Sequence, residues 1–423
     1  MSDIYGDWYG FDFGTSNTVI SILKNGEAFS LPINENNEDS EIFQSAICYF
    51  EGKQYFGIEA IEKYLKEIIN EEDKSKNSDV RLIRSFKSLL GRNTEIKTSI
   101  DGKIYTIGDI VASYFTEVKM RADKIVGKDI KKIIVGRPVK FVGQENNNGN
   151  IAQEIIEECL IKAGFDTVSF EYEPVAAARR YANVAKGKVL VFDFGGGTLD
   201  VALVDLDTNH LLAFEGESAG GDLIDYMIYD TYFSKYFGRD LKYRKAELSY
   251  PVWAVEKVFD WSEIIGLRNN DFYTFLASLR NRSSSDETVK FIDYFIKHNL
   301  TYSFRKNVIQ AKVCLSDSDH ADFCFVCPTK KIEDRIDRKD FEDGLVEYAE
   351  IVEIVLDKVL SKSGLAKSTI DKVVMTGGSS LIPFFQNLLA NEFGKDKVML
   401  FEPFTSVSKG LVLMGLSEGN FSR

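Results

Sequence analysis

Val189-Leu190-Val191-Phe192-Asp193-Phe194-Gly195-Gly196-Gly197-Thr198-Leu199-Asp200-Val201-Ala202-Leu203-Val204 is the stretch that decides how this chain reads. An apolar run delivers a carboxylate at Asp193, three glycines and a threonine turn the chain, and a second apolar run leaves. Both runs carry the β-branched and aromatic residues of strands. The same device stands near the N-terminus, in Tyr9-Gly10-Phe11-Asp12-Phe13-Gly14-Thr15-Ser16-Asn17-Thr18-Val19-Ile20-Ser21-Ile22. One such stretch alone reads equally well as an ordinary glycine-rich hairpin turn. Two in one chain point to two halves closing on one polyphosphate.

The chemistry supports that pairing. Glycine opens turns closed to other residues and lets main-chain N–H groups approach phosphate oxygens. Threonine and serine hydroxyls add donors. A carboxylate at each strand end, Asp12 and Asp193, is placed to hold a hydrated Mg²⁺, a hard ion that keeps its waters and prefers oxygen ligands. The P-loop pattern and the dinucleotide fingerprint are both absent, and each turn here runs from strand to strand rather than into a helix.

Composition narrows the field. A chain of 423 residues has room for two or more cores, and 44% hydrophobic with 28% charged residues fits a globular protein. The net charge of −13 argues against nucleic acid as a partner, since binding its backbone needs clustered Lys and Arg. No apolar run approaches the ~20 residues of a membrane span, and the acidic N-terminus lacks a secretory signal. Five cysteines favour a reducing cytoplasm over a disulfide framework. Cys314, His320, Cys324 and Cys327 are zinc-ligand types in one neighbourhood. The run Phe323–Cys327 reads better as a buried strand with cysteines as small apolar residues.

Along the chain, Ala46–Phe50 reads as a strand and Glu59–Asn70 as a helix, followed by a charged loop at Glu71–Asn77. Val80–Arg92 reads as an amphipathic helix stopped by Gly91. Apolar residues from Ile110 to Val126 recur at helical spacing. Lys132–Gly136 and 168–172 read as strands flanking an Asn-rich loop, Gly143–Asn150, and a helix over 151–164; Pro174 opens the next helix. Residues 223–310 are helix-rich and aromatic, with Trp253 and Trp261 and a serine loop at Ser283–Asp286; one long helix is expected from 339 to about Ser361. The order strand, Asp, glycine turn, strand, then helix and strand thus occurs twice. Two similar α/β halves, each with an insertion, imply a cleft between them. Lobe I spans 8–187 (core 8–36 and 108–187, insertion 37–107) and lobe II spans 188–416 (core 188–222 and 336–416, insertion 223–335).

Four segments together resemble a known family. Gly10–Asn17, Glu173-Pro174-Val175-Ala176-Ala177-Ala178, Phe192–Val201 and Met375-Thr376-Gly377-Gly378-Ser379-Ser380-Leu381-Ile382-Pro383 look like the phosphate, connecting and adenosine signatures of the seventy-kilodalton heat-shock chaperones. The chain most resembles the short YegD-type bacterial members, which largely lack the peptide-binding part. The resemblance implies an actin-like ATPase superfold: two lobes of duplicated ribonuclease-H-like α/β domains with inserted subdomains around a nucleotide cleft. It implies ATP or ADP with Mg²⁺ as ligands, slow ATP hydrolysis, and a client or co-chaperone protein as partner. Asp12 and Asp193 would hold the metal through water. Gly14, Thr15, Ser16, Asn17, Gly195, Gly196, Gly197 and Thr198 would cradle the phosphates. Lys87 resembles the lysine on the γ-phosphate and Glu173 the acidic residue by the attacking water; Thr198 and Asp200 stand beside them. Gly220, Gly221 and Asp222, together with Gly377, Gly378 and Ser379, would line the nucleotide, with Lys312 and Ser316 on the opposite lip.

There are departures from the pattern. Leu381 stands where the family has an arginine against the base; Ile309 and Val313 replace an acidic and a basic residue. The family's coupling arginine has no counterpart in Lys140–Asn150, and Leu416–Arg423 carries no apolar linker of the family type. The alternatives are a nucleotide-dependent scaffold with little turnover, a small-molecule kinase, and an actin-like filament protein.

Overall fold

The computed structural model describes residues 3–35, 39–70, 80–90, 97–139, 141, 151–182, 186–208, 210–243, 248–260, 263–267, 269–280, 286–298 and 300–418. The expected loops at 71–77, 143–150 and 283–285, the stop at Gly91, Trp261 and the tail from 419 lie outside them. The chain forms two compact units, one of residues 1–221 and 348–423, the other of 222–347.

The two largest sheets of the first unit share one topology. In the first, β1 (Tyr5–Phe13), β2 (Asn17–Lys24) and β3 (Glu27–Ser30) form an antiparallel meander, and β4 (Lys132–Arg137) and β5 (Thr167–Tyr172) add in parallel on the other side of β1, giving the order β5-β4-β1-β2-β3. In the second, β6 (Lys188–Phe194), β7 (Leu199–Asp205) and β8 (His210–Glu217) repeat the meander, and β9 (Lys372–Thr376) and β10 (Val398–Leu400) add in parallel, giving β8-β7-β6-β9-β10. The middle strands are buried where both faces are covered: Tyr9 to Phe11 of β1 and Val189 to Phe192 of β6. The duplication read from the residue pattern is therefore a duplication of topology.

Two helices lock the sheets together. The Ser406–Glu418 helix follows the second sheet yet packs on β1, β2, β3 and β4, while the Glu173–Tyr181 helix follows the first sheet and packs on β6 and β7 as well as on its own strands. The two helices also pack on each other at close range, since a Cβ at Gly410 would collide with the Ala176 carbonyl; the Ser406–Glu418 helix lies as close to β1, where a Cβ at Gly10 would collide with the Ser408 carbonyl. Ala176, Ala177, Ala178, Val407 and Leu411 share one buried cluster with Ile134, Val189 and Val374. On the far side of the first sheet, the Ile107–Val126 helix, with a Thr106–Asp109 capping box, buries Val111, Tyr114, Phe115 and Val118 against Phe11 and Phe13.

The second unit has an aromatic core. Tyr229 stacks on Phe259 at 4.4 Å, and Phe233, Phe304 and Phe323 meet edge and face within 5.6 Å. Its His320–Cys327 strand pairs antiparallel with Lys330–Asp337.

Three local expectations are corrected. Residues 80–90 contain a strand, Arg81–Arg84, and a 3₁₀ turn, Phe86–Leu89, rather than one helix. Leu82 and Ile83 are both buried and pair with Cys48 and Ile47, and Ser85 takes a left-handed φ of 52° that no helix tolerates. The strand over 323–327 exists, but it alternates: Phe323 and Phe325 face the core, Cys324 and Val326 face solvent, and Cys327 is half-buried. The helix expected from 339 to 361 is two helices, Arg338–Asp343 and Val346–Ser363, divided at Gly344–Leu345.

Candidate functional site

The two glycine bends face each other. A Cβ added at Gly196 would lie 3.1 Å from Ser16 Oγ, and one at Gly197 would lie 3.0 Å from Thr15 Oγ1. The hydroxyls of the first bend therefore stand over the backbone of the second across a gap that side chains would fill. None of Gly14, Gly195, Gly196 and Gly197 has a left-handed φ; at Gly14, Gly196 and Gly197 space rather than unusual torsion favours glycine.

Each bend is anchored from outside. Gly195 N–H closes the second on the Thr198 carbonyl at 3.0 Å. The Gly195 carbonyl accepts from Gly221 N–H at 3.0 Å and from Ser379 Oγ at 3.1 Å. In the first bend, Ser45 Oγ donates to the Gly14 carbonyl at 2.8 Å and Ser45 N–H to the Ser16 carbonyl at 2.9 Å. Asn17 opens β2 and pairs with Gln44. Gly377, with φ +80°, would bring a Cβ 2.8 Å from Asp193 Oδ1.

The charged groups converge. Lys87 Nζ donates to Glu173 Oε1 at 2.7 Å, both side chains being nearly buried, and lies 5.9 Å over the Phe13 ring. Register sets Asp193 beside Asp200 across the β6–β7 hairpin, and Val139 N–H donates to Asp200 Oδ1 at 3.0 Å. Asp12 is pushed up to about 7, first by loss of water and then by the Glu173 charge, against Lys87. Burial, then Glu173, Asp200 and Asp12, hold Asp193 well above the ordinary carboxylate range, with Lys87 opposing. Asp200 is pushed up to about 7 by burial and Glu173, with hydrogen bonds from Thr198 and Val139 pulling the other way. Burial works against the Lys87 ammonium, yet Glu173 and Asp12 outweigh it and raise its pKa. Four carboxylates around one lysine leave a negative excess that an added cation relieves.

Among the described residues no group of three or more His, Cys, Asp or Glu is set to ligate a metal ion, the cysteines near 320 included. A hydrated magnesium ion, which keeps several of its waters, asks less of the protein. Hydroxyls, a backbone cradle that a Cβ would fill, unrelieved carboxylates and a buried lysine are what a magnesium-bound polyphosphate requires, and the residues fit it.

A family model described as Hsp70 protein matches residues 8–250 and 284–420. The chain belongs to the Hsp70 family. Curated relatives described as chaperone protein DnaK include those of Thermosipho melanesiensis and Thermosipho africanus, each 26% identical over 413 residues, and that of Thermotoga neapolitana, 26% over 416. Each match covers 96% of this chain and 58% of the relative, so the chain spans less than two thirds of the length of these relatives. The repeated sheets of this Hsp70 chain are those of the actin-like ATPase fold.

The remaining expected site residues sit as follows. Gly221 starts the Gly221–Ile228 helix. In the second unit, Asp222 pairs with Arg305 at 3.3 Å, Lys312 Nζ lies 2.6 Å from the buried Asp225, and Ser316 Oγ turns back to the Lys312 carbonyl at 3.4 Å. Sequence reading missed Ser45, which holds the first bend from just after the Phe43–Gln44 strand that pairs with β2, and the Val139 N–H at Asp200. No motif marks either; only tertiary proximity does. It also missed Asp225, which burial raises and which Lys312 and Arg305 pull back.

Proposed function

We propose that this Hsp70-family chain binds ATP or ADP with Mg²⁺ between the two bends and hydrolyses ATP slowly, as a chaperone-like module. The observation that carries the reading is the face-to-face placement of Thr15–Ser16 and Gly196–Gly197, with the Lys87–Glu173 pair beside it. Asp12 and Asp193 would hold the metal's water shell, and the metal, when bound, supplies charge neutralisation. Phosphoryl transfer needs positioning and charge stabilisation more than a strong base. Lys87 takes up charge on the terminal phosphoryl oxygens. Glu173, fixed at 2.7 Å from Lys87, orients a water whose oxygen bonds to the γ-phosphorus as the bond to the bridging oxygen breaks. Thr15, Ser16, Thr198 and the amides of Gly14 and Gly195–Gly197 grip the phosphates.

We read lobe I as 8–187 and lobe II as 188–416, with closure on the nucleotide as the output that a client or co-chaperone protein senses. Among the described residues no helix is long and apolar enough to cross a membrane. Five free cysteines favour a reducing compartment, and we place the protein in the cytoplasm. Isothermal titration with ATP, ADP and GTP in Mg²⁺, followed by single-turnover hydrolysis, tests the reading. Binding of ATP and ADP with measurable phosphate release is expected; no heat with any nucleotide would end it.

A further inference from the structure

The phosphate cradle has an aromatic neighbour. Gly377 N–H donates to the Pro403 carbonyl at 2.9 Å, and on its other side Gly377 abuts the Phe194 carbonyl and the Asp193 carboxylate at the end of β6. Phe404 is the next residue after that anchored proline. Its ring edge lies 3.1 Å from where a Cβ of Gly378 would stand, yet 39% of the residue remains in water.

The segment that carries Phe404 is fixed. Arg180 grips the Glu402 carboxylate with two N–H groups, at 3.1 and 2.8 Å, and Lys409 stands 3.6 Å from it. Glu402 takes a left-handed φ of 40°, and its carbonyl accepts from Thr405 N–H at 3.1 Å and Ser406 N–H at 3.0 Å. A forked arginine–carboxylate pair combines charge with fixed orientation. A strained backbone held through its carboxylate by two cationic side chains, followed by a half-exposed ring, is an arrangement that core packing alone does not call for.

We propose that Phe404 is the stacking surface for the nucleobase of the bound nucleotide. The inference rests on the nucleotide reading above. Gly377 and Ser379 tie this loop to the same Asp193–Gly195 segment that lies at the phosphates, so the ring borders the cradle and offers an apolar face to the part of the ligand that is not phosphate. The phenylalanine ring carries no hydrogen-bond donor or acceptor and takes any base through its π-face. Phe404 therefore contributes affinity for a nucleoside without selecting adenine over guanine.

The test is titration of the full chain in Mg²⁺ with ATP, GTP and inorganic tripolyphosphate. Phe404→Ala should lose about tenfold in affinity for both ATP and GTP and leave tripolyphosphate affinity unchanged; Phe404→Trp should hold ATP within about threefold of the parent. Phe404→Leu keeps apolar bulk without the π-face and should behave as alanine does, which guards against a packing defect in the smaller variant. Equal losses for ATP and tripolyphosphate, or an unchanged ATP affinity in Phe404→Ala and Phe404→Leu, would overturn the assignment while leaving the cradle intact. If the parent protein binds neither ATP nor tripolyphosphate, the cradle itself fails and the stacking role goes with it.

Discussion

The two bends face each other but are built differently. The Asp12 bend has a single glycine and three polar side chains, Thr15, Ser16 and Asn17, and is tied down by Ser45, which lies between two neighbouring strands. The Asp193 bend has three glycines and is packed backbone against backbone, with Gly220 so close that a Cβ there would collide with the Gly196 carbonyl. Asp12 remains partly open, whereas Asp193 is buried. The first bend presents hydroxyls that move on side-chain torsions; the second presents fixed amides. A tight polyphosphate site needs both, because rigid donors lower the ordering cost and adjustable ones follow the ligand as the site closes.

That contrast can be broken at several points. The largest effect should come from Gly377→Ala, where a left-handed φ and contact with the Phe194 carbonyl coincide. We expect a loss of about 3 kcal/mol or more in denaturant unfolding. Gly26→Ala, equally left-handed but in open space, should lose only about 1 kcal/mol. Equal losses would show that torsion, not crowding, sets the cost.

Lys87→Ala should lower the hydrolysis rate about a hundredfold or more while ATP affinity stays within roughly tenfold. Unchanged turnover per bound ATP would remove Lys87 from the mechanism. Asp12→Asn should weaken ATP binding about tenfold in Mg²⁺ and far less in EDTA; equal losses in both would remove the metal role from the more open bend.

A smaller effect concerns pH. Asp200 has its native pKa raised to about 7, so the stability it contributes is present below pH ~4 and is lost as pH rises through 7. Asp200→Asn should cancel that part of the decline, and thermal melts of the ligand-free protein between pH 5 and 8 should converge at the acid end and separate in favour of the variant at the alkaline end. Parallel melting curves would show that Asp200 does not carry the shift. The smallest effect should be Ser45→Ala, which removes about 1 kcal/mol from the tie on the first bend and should lower ATP affinity severalfold without touching the second bend.

Local sequence made much of this visible. The Asp12 and Asp193 hairpins, the Ile107–Val126 helix and the strands at 132–137 and 167–172 all carry periodicity or turn residues that act within a few positions. Reading failed where a distant partner chose the conformation. Arg81–Arg84 is a strand because Ala46–Phe50 offers it an edge. Cys324 faces water because register with Glu333 assigns it to the outer face.

What the residues decided alone is the chemistry of each bend: a carboxylate at a strand end, glycines too small to block an oxygen, and hydroxyls beside them. What only the tertiary structure decided is that the bends meet. Two helices, each leaving one sheet to pack on the other, cross where Gly410 meets Ala176, and their packing sets Ser16 against Gly196 and Lys87 against Glu173. The physical reason is range: torsions and turn preferences act over a few residues, whereas burial is shared among segments hundreds of positions apart, and no local pattern encodes which of them pair.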